Sequence, residues 1–66
     1  MQTYSDLLSA HRERRREQLL IAAAAELNER GIRQATMDQI AQRAGVSKVI
    51  LYRYFKSKDQ LVHAVL

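Results

Sequence analysis

Several residue types that mark other classes of protein are absent from this chain. It contains no cysteine, tryptophan or proline, and only two glycines, three tyrosines and one phenylalanine. Without cysteine, and with only two isolated histidines, His11 and His63, we expect neither disulfides nor a metal site, and we expect no cofactor. A domain of 66 residues buries only about 60% of its unfolded surface. Its stability must therefore come from packing or from an oligomeric partner.

Long apolar runs and catalytic motifs are scarce as well. The longest stretch without a charged residue inside the predicted fold is Gln18 to Ala25, far short of the ~20 apolar residues of a membrane-spanning helix. The residues after Met1 lack the basic start and apolar core of a secretory signal. There is no glycine-rich phosphate loop, and we expect no paired carboxylates at a pocket. We therefore expect a cytoplasmic protein that contacts no membrane and is not an enzyme.

The positive charge is concentrated in the second half of the chain. The formal net charge is +4, yet residues 1–31 are neutral on balance. Residues 32–66 hold the whole excess, namely Arg33, Arg43, Lys48, Arg53, Lys56 and Lys58 against Asp38 and Asp59. Such a face favours a polyanion, since each neutralised phosphate releases condensed counterions. A solubilising surface is the alternative that charge alone leaves open.

Apolar periodicity, helix caps and the two glycines predict an all-α fold. The predicted segments are a flexible N-terminal arm over residues 1–11 and helices over about 12–30, 36–44, 47–55 and from about 57 onward. Thr36, Ser47 and Ser57 are expected to cap the last three helices. Gly31 and Gly45 are expected to end the first two, with a left-handed cap at Gly31.

The second and third predicted helices have the spacing of a helix-turn-helix. They are joined by only three residues, Gly45, Val46 and Ser47. Val46 and Leu51 form a hydrophobic staple that sets the angle at which the third helix begins. The interpretation is a three-helix, homeodomain-like bundle with the start of a fourth helix. Helix-turn-helix units typically bind DNA.

One face of the third predicted helix remains for a partner. It carries Val49, Tyr52 and Arg53, with Lys48 in the first turn. Aromatic rings interleave with charge around Arg53, which favours contact with phosphate. Tyr52 and Tyr54 could instead be half-buried helix residues. The same face could also serve a helical protein–protein interaction module.

Four arginines precede the core of the first predicted helix: Arg12, Arg14, Arg15 and Arg16. They could form an arm that reaches the minor groove or flanking phosphates. A solvated helix face paired with Glu13 and Glu17 explains them equally well. At the other end, the chain stops within the apolar run of the fourth predicted helix, so we expect it to be part of a longer protein.

From about Leu19 to Leu66 the chain resembles the tetracycline-repressor (TetR) family of bacterial transcriptional regulators. The likeness rests on Leu19-Leu20 with Ala22-Ala23 and Gly31, Thr36-Met37-Asp38-Gln39-Ile40-Ala41, Ala44-Gly45-Val46-Ser47, and Leu51-Tyr52-Arg53-Tyr54-Phe55-Lys56-Ser57-Lys58-Asp59-Gln60-Leu61. The resemblance implies a homodimeric repressor with a palindromic operator, in the bacterial cytoplasm on the nucleoid. It also implies a small-molecule effector and a dimer contact in an effector-binding domain that lies outside this chain.

Carried onto these residues, the resemblance implies that the third helix lies in the major groove. Base edges would be contacted by Lys48, Val49 and Arg53, and phosphates by Thr36, Tyr52, Tyr54 and Lys58. The chain departs from the family pattern at Val49 and Ile50, where relatives commonly have a small residue followed by Thr or Ser. Apolar contact with thymine is expected to replace the missing hydrogen bond there.

Overall fold

The computed structural model describes residues 3–66, which form four α-helices and no strand. The helices are α1 (Tyr4–Arg30), α2 (Met37–Ala44), α3 (Lys48–Tyr54) and α4 (Lys58–Val65). The all-α fold class is thereby confirmed. The last three helices begin within one residue of their predicted starts.

α1 begins well before the predicted residue 12, and this corrects the prediction of a flexible arm. Thr3 is its N-cap: the Thr3 Oγ1 accepts from the Asp6 N–H and the Asp6 Oδ2 accepts from the Thr3 N–H, both at 3.2 Å. This reciprocal capping box starts the helix, and no proline or glycine interrupts it before Gly31. The first two residues of the predicted arm lie outside the described residues.

A small apolar core joins all four helices. Its buried members are Leu19, Ala23, Met37, Ile40, Ala41, Leu51, Phe55 and Leu61. Four aliphatic side chains, Leu19, Ile40, Leu51 and Leu61, are fully buried, one from each helix. Burial of such a side chain contributes about 1.5–3 kcal/mol. The core thus holds α3 against the other helices through Leu51.

The two glycines end their helices with different backbone conformations. Gly45 is left-handed, with φ 74° and ψ 28°, and its N–H bonds to the carbonyls of Ala41 and Gln42. Gly31 also has a positive φ of 85°, but its ψ of 160° lies outside the left-handed helical region. The left-handed cap predicted at Gly31 is therefore wrong, although its N–H does close on the Leu27 carbonyl at 2.8 Å.

A buried carboxylate links α1 to α2. Glu26 is only 4% exposed, and its two oxygens accept from Arg30 Nε and Arg43 Nε, each at 2.7 Å. Arg43 also pairs with Glu29 at the surface. The hydrogen bond from Arg43 holds the pKa of Glu26 below its ordinary value and outweighs the opposing effect of burial. This network fixes α2, and with it the turn to α3, on the side of α1.

Two further features bear on the class of protein. No helix in residues 3–66 combines the length and apolar character needed to cross a bilayer. Within the same residues, His, Asp and Glu side chains do not gather in a group of three or more that could hold a metal ion.

Candidate nucleic-acid interface

α3 is held on one face and open on the other. Ser47 caps it, since its Oγ accepts from the Ile50 N–H at 3.3 Å. Leu51 is fully buried, whereas Val49 and Tyr52 are 64% and 42% exposed. The helix therefore has one face fixed in the core and another available to a partner.

The exposed face of α3 consists of Lys48, Val49, Tyr52 and Arg53. Its chemistry suits the major groove of DNA, because Lys and Arg donate to guanine and the methyl groups of valine contact the thymine methyl. The tyrosine hydroxyl is a donor for phosphate oxygens. The structure thus brings four of the predicted residues of this helix, all except Tyr54, together on one surface.

Lys48 has a neighbour that the sequence analysis did not identify. Its Nζ lies 3.0 Å from Asp38 Oδ1, and both side chains remain more than half exposed. The hydrogen bond to Asp38 raises the pKa of Lys48 above its ordinary value. An ammonium has three N–H donors, so the pair leaves two of them for another acceptor. The pair also joins the first turn of α3 to the first turn of α2.

Thr36 lies at the start of α2 and is partly engaged. Its Oγ1 accepts from the Gln39 N–H at 3.1 Å, and its N–H donates to Gln39 Oε1 at 3.0 Å. The predicted offer of nearby N–H groups is therefore reduced by these two bonds. The hydroxyl hydrogen of Thr36 is still free to donate, because the hydroxyl serves only as an acceptor in the capping box.

Tyr54 differs from Tyr52 in its surroundings. Tyr52 is exposed, whereas Tyr54 is half-buried and packs against the core. The alternative of a half-buried helix residue therefore describes Tyr54 and not Tyr52. The Tyr54 side chain also lines the cleft between α1 and α3.

Lys58, which is predicted to contact a phosphate, is engaged within the domain in this structure. Its Nζ donates to the carbonyl oxygens of Ile32 at 2.7 Å and Ala35 at 3.1 Å, and lies 3.5 Å from the carbonyl oxygen of Arg33. The carbonyls of Ile32 and Ala35 take two of the three N–H donors of the ammonium. Lys58 thus fastens the start of α4 to the connection between α1 and α2, and its contact with a phosphate stays a prediction.

The arginines of α1 have separate positions. Arg12 and Arg15 line a cleft of about 580 Å³ between α1 and α3, together with His11, Ile50, Arg53 and Tyr54. Arg16 lies over the ring of Phe55, 5.5 Å from its centroid, in a cation–π contact. Neither Glu13 nor Glu17 takes part in the ion pairs of residues 3–66. The alternative of a helix face paired with these glutamates is therefore not what the structure shows.

These elements, a helix-turn-helix with an open second helix beside a cluster of basic side chains, define a DNA-binding class of protein. Residues 19–65 match the family model of the bacterial regulatory proteins of the tetR family, and the chain belongs to that family. The predicted resemblance is thus confirmed.

Curated relatives agree with this family. The chain is 56% identical over 55 residues to the HTH-type transcriptional activator FasR of Mycolicibacterium smegmatis, a match that covers 83% of the chain and 25% of FasR. It is 50% identical over 52 residues to the HTH-type transcriptional regulator BetI of Serratia proteamaculans, covering 79% of the chain and 26% of BetI. The chain therefore spans about a quarter of the length of these relatives. No solved structure matches it.

Proposed function

We propose that this chain is the DNA-binding part of a sequence-specific transcriptional regulator, with α3 in the major groove of double-stranded DNA. The observation that carries the proposal is the two-sided character of α3, which is buried at Leu51 and open at Val49, Tyr52 and Arg53. The major groove, about 12 Å wide, admits one α-helix. Regulators of the tetR family, to which the chain belongs, give the same class of function.

Individual residues take different parts in this proposal. Lys48 and Val49 contact base edges, because an ammonium donates to guanine O6 and N7 and valine contacts the thymine methyl. Tyr52, Tyr54 and the hydroxyl of Thr36 donate to phosphate oxygens and set the register on the duplex. Arg53 adds guanidinium N–H donors to the same surface.

The regulator would act as a homodimer on a palindromic operator, with the dimer contact and a small-molecule effector site outside this chain. The length of the relatives supports this part, since three quarters of FasR or BetI has no counterpart in the chain. The mode that we propose is repression, relieved by the effector, in the bacterial cytoplasm on the nucleoid. Because FasR is named an activator, a reporter assay with and without the regulator decides between repression and activation of transcription.

The experiment that tests the proposal is selection of duplexes from a random pool by the 66-residue chain. We expect one half-site to be enriched, and two inverted copies of it where the protein dimerises. Binding should weaken steeply with salt, by about 0.9 in log affinity per phosphate contact for each decade of salt concentration. A folded chain that enriches no sequence would overturn the proposal.

A matched pair of variants locates the interface. Tyr52→Ala should weaken binding, whereas Tyr4→Ala should not, because Tyr4 is exposed near the start of α1, outside the helix-turn-helix. If selection fails, the Val49, Tyr52 and Arg53 face is tested as a protein-binding surface instead. An apolar protein interface would respond little to salt, which distinguishes it from DNA binding.

A further inference from the structure

The cleft between α1 and α3 gathers positive charge without a counter-ion of its own. Arg12 and Arg15 reach it from α1, and Arg53 reaches it from α3. The four ion pairs of residues 3–66 include none of these three arginines. Like charges around one cleft repel each other, so the arrangement is stabilised by an anion that enters it.

The donors of this cleft suit a phosphate in particular. Each guanidinium presents planar N–H groups that match phosphate oxygens in a bidentate manner. His11 and Tyr54 add polar groups at the cleft wall, and Ile50 adds an apolar surface against which a sugar packs. The cleft volume of about 580 Å³ exceeds the volume of a phosphate alone and accommodates part of the attached sugar–phosphate backbone.

We propose that this cleft holds a backbone phosphodiester of the duplex that α3 contacts, and that Arg53 binds this phosphate and not a base edge. The proposal rests on the function proposed above and adds a second DNA contact, made by α1. Because Arg53 borders both the exposed face of α3 and the cleft, the phosphate would lie beside the groove segment that α3 occupies. The capped helix from Tyr4 holds Arg12 and Arg15 at fixed positions for it.

The test combines protein variants with a modified duplex. A selected duplex is prepared with a single uncharged methylphosphonate at each backbone position in turn, and affinity is measured by fluorescence anisotropy. The unmodified protein should lose about tenfold in affinity at one position, which corresponds to about 1.4 kcal/mol. Arg15→Ala should lose a similar factor on the natural duplex and nothing further at that position. Its salt slope should fall by about one.

Arg14→Ala is the matched control, because it removes the same charge from the same helix at an exposed position outside the cleft. It should leave the tenfold effect of the methylphosphonate intact. Arg53→Ala should weaken binding to all sequences equally and should not add to the loss from Arg15→Ala. Circular dichroism of each variant verifies that the helices are retained.

Three results would overturn the inference. First, Arg15→Ala could bind DNA as tightly as the unmodified protein. Second, the loss of affinity caused by Arg15→Ala could add to the loss caused by the methylphosphonate. Third, Arg53→Ala could change the sequence preference at one base pair. If the chain selects no duplex, the proposed function fails, and inorganic pyrophosphate then tests the cleft by itself. A rise in melting temperature that Arg15→Ala abolishes would assign the cleft to a free anion, and no rise would dismiss the site.

Discussion

The turn between α2 and α3 depends on a backbone conformation that only glycine adopts at low cost. Gly45 has φ 74° and ψ 28°, and a Cβ added there would meet no atom within 4 Å. The cost of Gly45→Ala is therefore one of conformation and not of steric contact. A left-handed L-residue costs about 1–2 kcal/mol. The lower chain entropy of the unfolded state returns about 0.4–1 kcal/mol of this.

The net loss from Gly45→Ala should thus be about 1 kcal/mol. A domain of this length is expected to have a free energy of unfolding of about 3–10 kcal/mol. A loss of about 1 kcal/mol should lower the melting temperature by about 4–8 °C. Thermal unfolding followed by far-UV circular dichroism measures this shift.

Asparagine distinguishes the two glycines. Asn tolerates the left-handed region, so Gly45→Asn should retain most of the stability that Gly45→Ala loses. Gly31→Asn should be as harmful as Gly31→Ala, because φ 85° with ψ 160° is a region almost confined to glycine. Equal melting temperatures for the Ala and Asn variants at position 45 would refute this reasoning. So would a rescue by Asn at position 31.

Three further predictions concern other contacts. Glu26→Gln should lower the melting temperature at neutral pH. Because the folded-state pKa of Glu26 is depressed, the stability that its carboxylate contributes is present above the ordinary pKa of 4.5 and is lost as the pH falls through the lower folded-state pKa. A series of melting temperatures measured into acid should show the loss of this contribution in the unmodified protein and not in Glu26→Gln. Lys58→Met should cost about 1 kcal/mol by removing the bonds to the carbonyls of the α1–α2 connection, whereas Lys56→Met, at an exposed position, should leave the melting temperature unchanged. Tyr52→Phe should weaken DNA binding by about 1 kcal/mol without changing sequence preference in an anisotropy assay, and an unchanged affinity would remove this hydroxyl from the interface.

A helix start was predictable where a capping residue and an apolar stripe lie close together in the sequence. Thr36, Ser47 and Ser57 each cap a helix whose apolar stripe follows at once, and each accepts from an N–H three residues on. Thr3 has the same cap, yet the start at Tyr4 was missed. The apolar residues that follow it, such as Leu7, are exposed in the structure and gave no core-facing stripe to indicate a helix.

Contacts between distant positions could not be predicted from the pattern. Arg43 meets Glu26 across 17 positions and Lys58 meets Ile32 across 26, and neither pairing has a local signature. A basic residue in such a sequence is compatible with phosphate contact, an ion pair or a carbonyl contact. The fold determines which of these contacts form within the domain, so neither the carbonyl contacts of Lys58 nor the cleft lined by Arg12 and Arg15 could be predicted from the sequence.

The short capped helices have a consequence for how the domain survives in a cell. α2, α3 and α4 have only 8, 7 and 8 residues, and isolated helices of this length are marginal in water. Helical bundles with mainly local contacts nevertheless fold within microseconds to milliseconds. When closing is this much faster than cleavage, a protease samples the equilibrium share of open chains and not the rate of opening. Each substitution that weakens the bundle should therefore shorten the lifetime of the chain in proportion to the population that it unfolds.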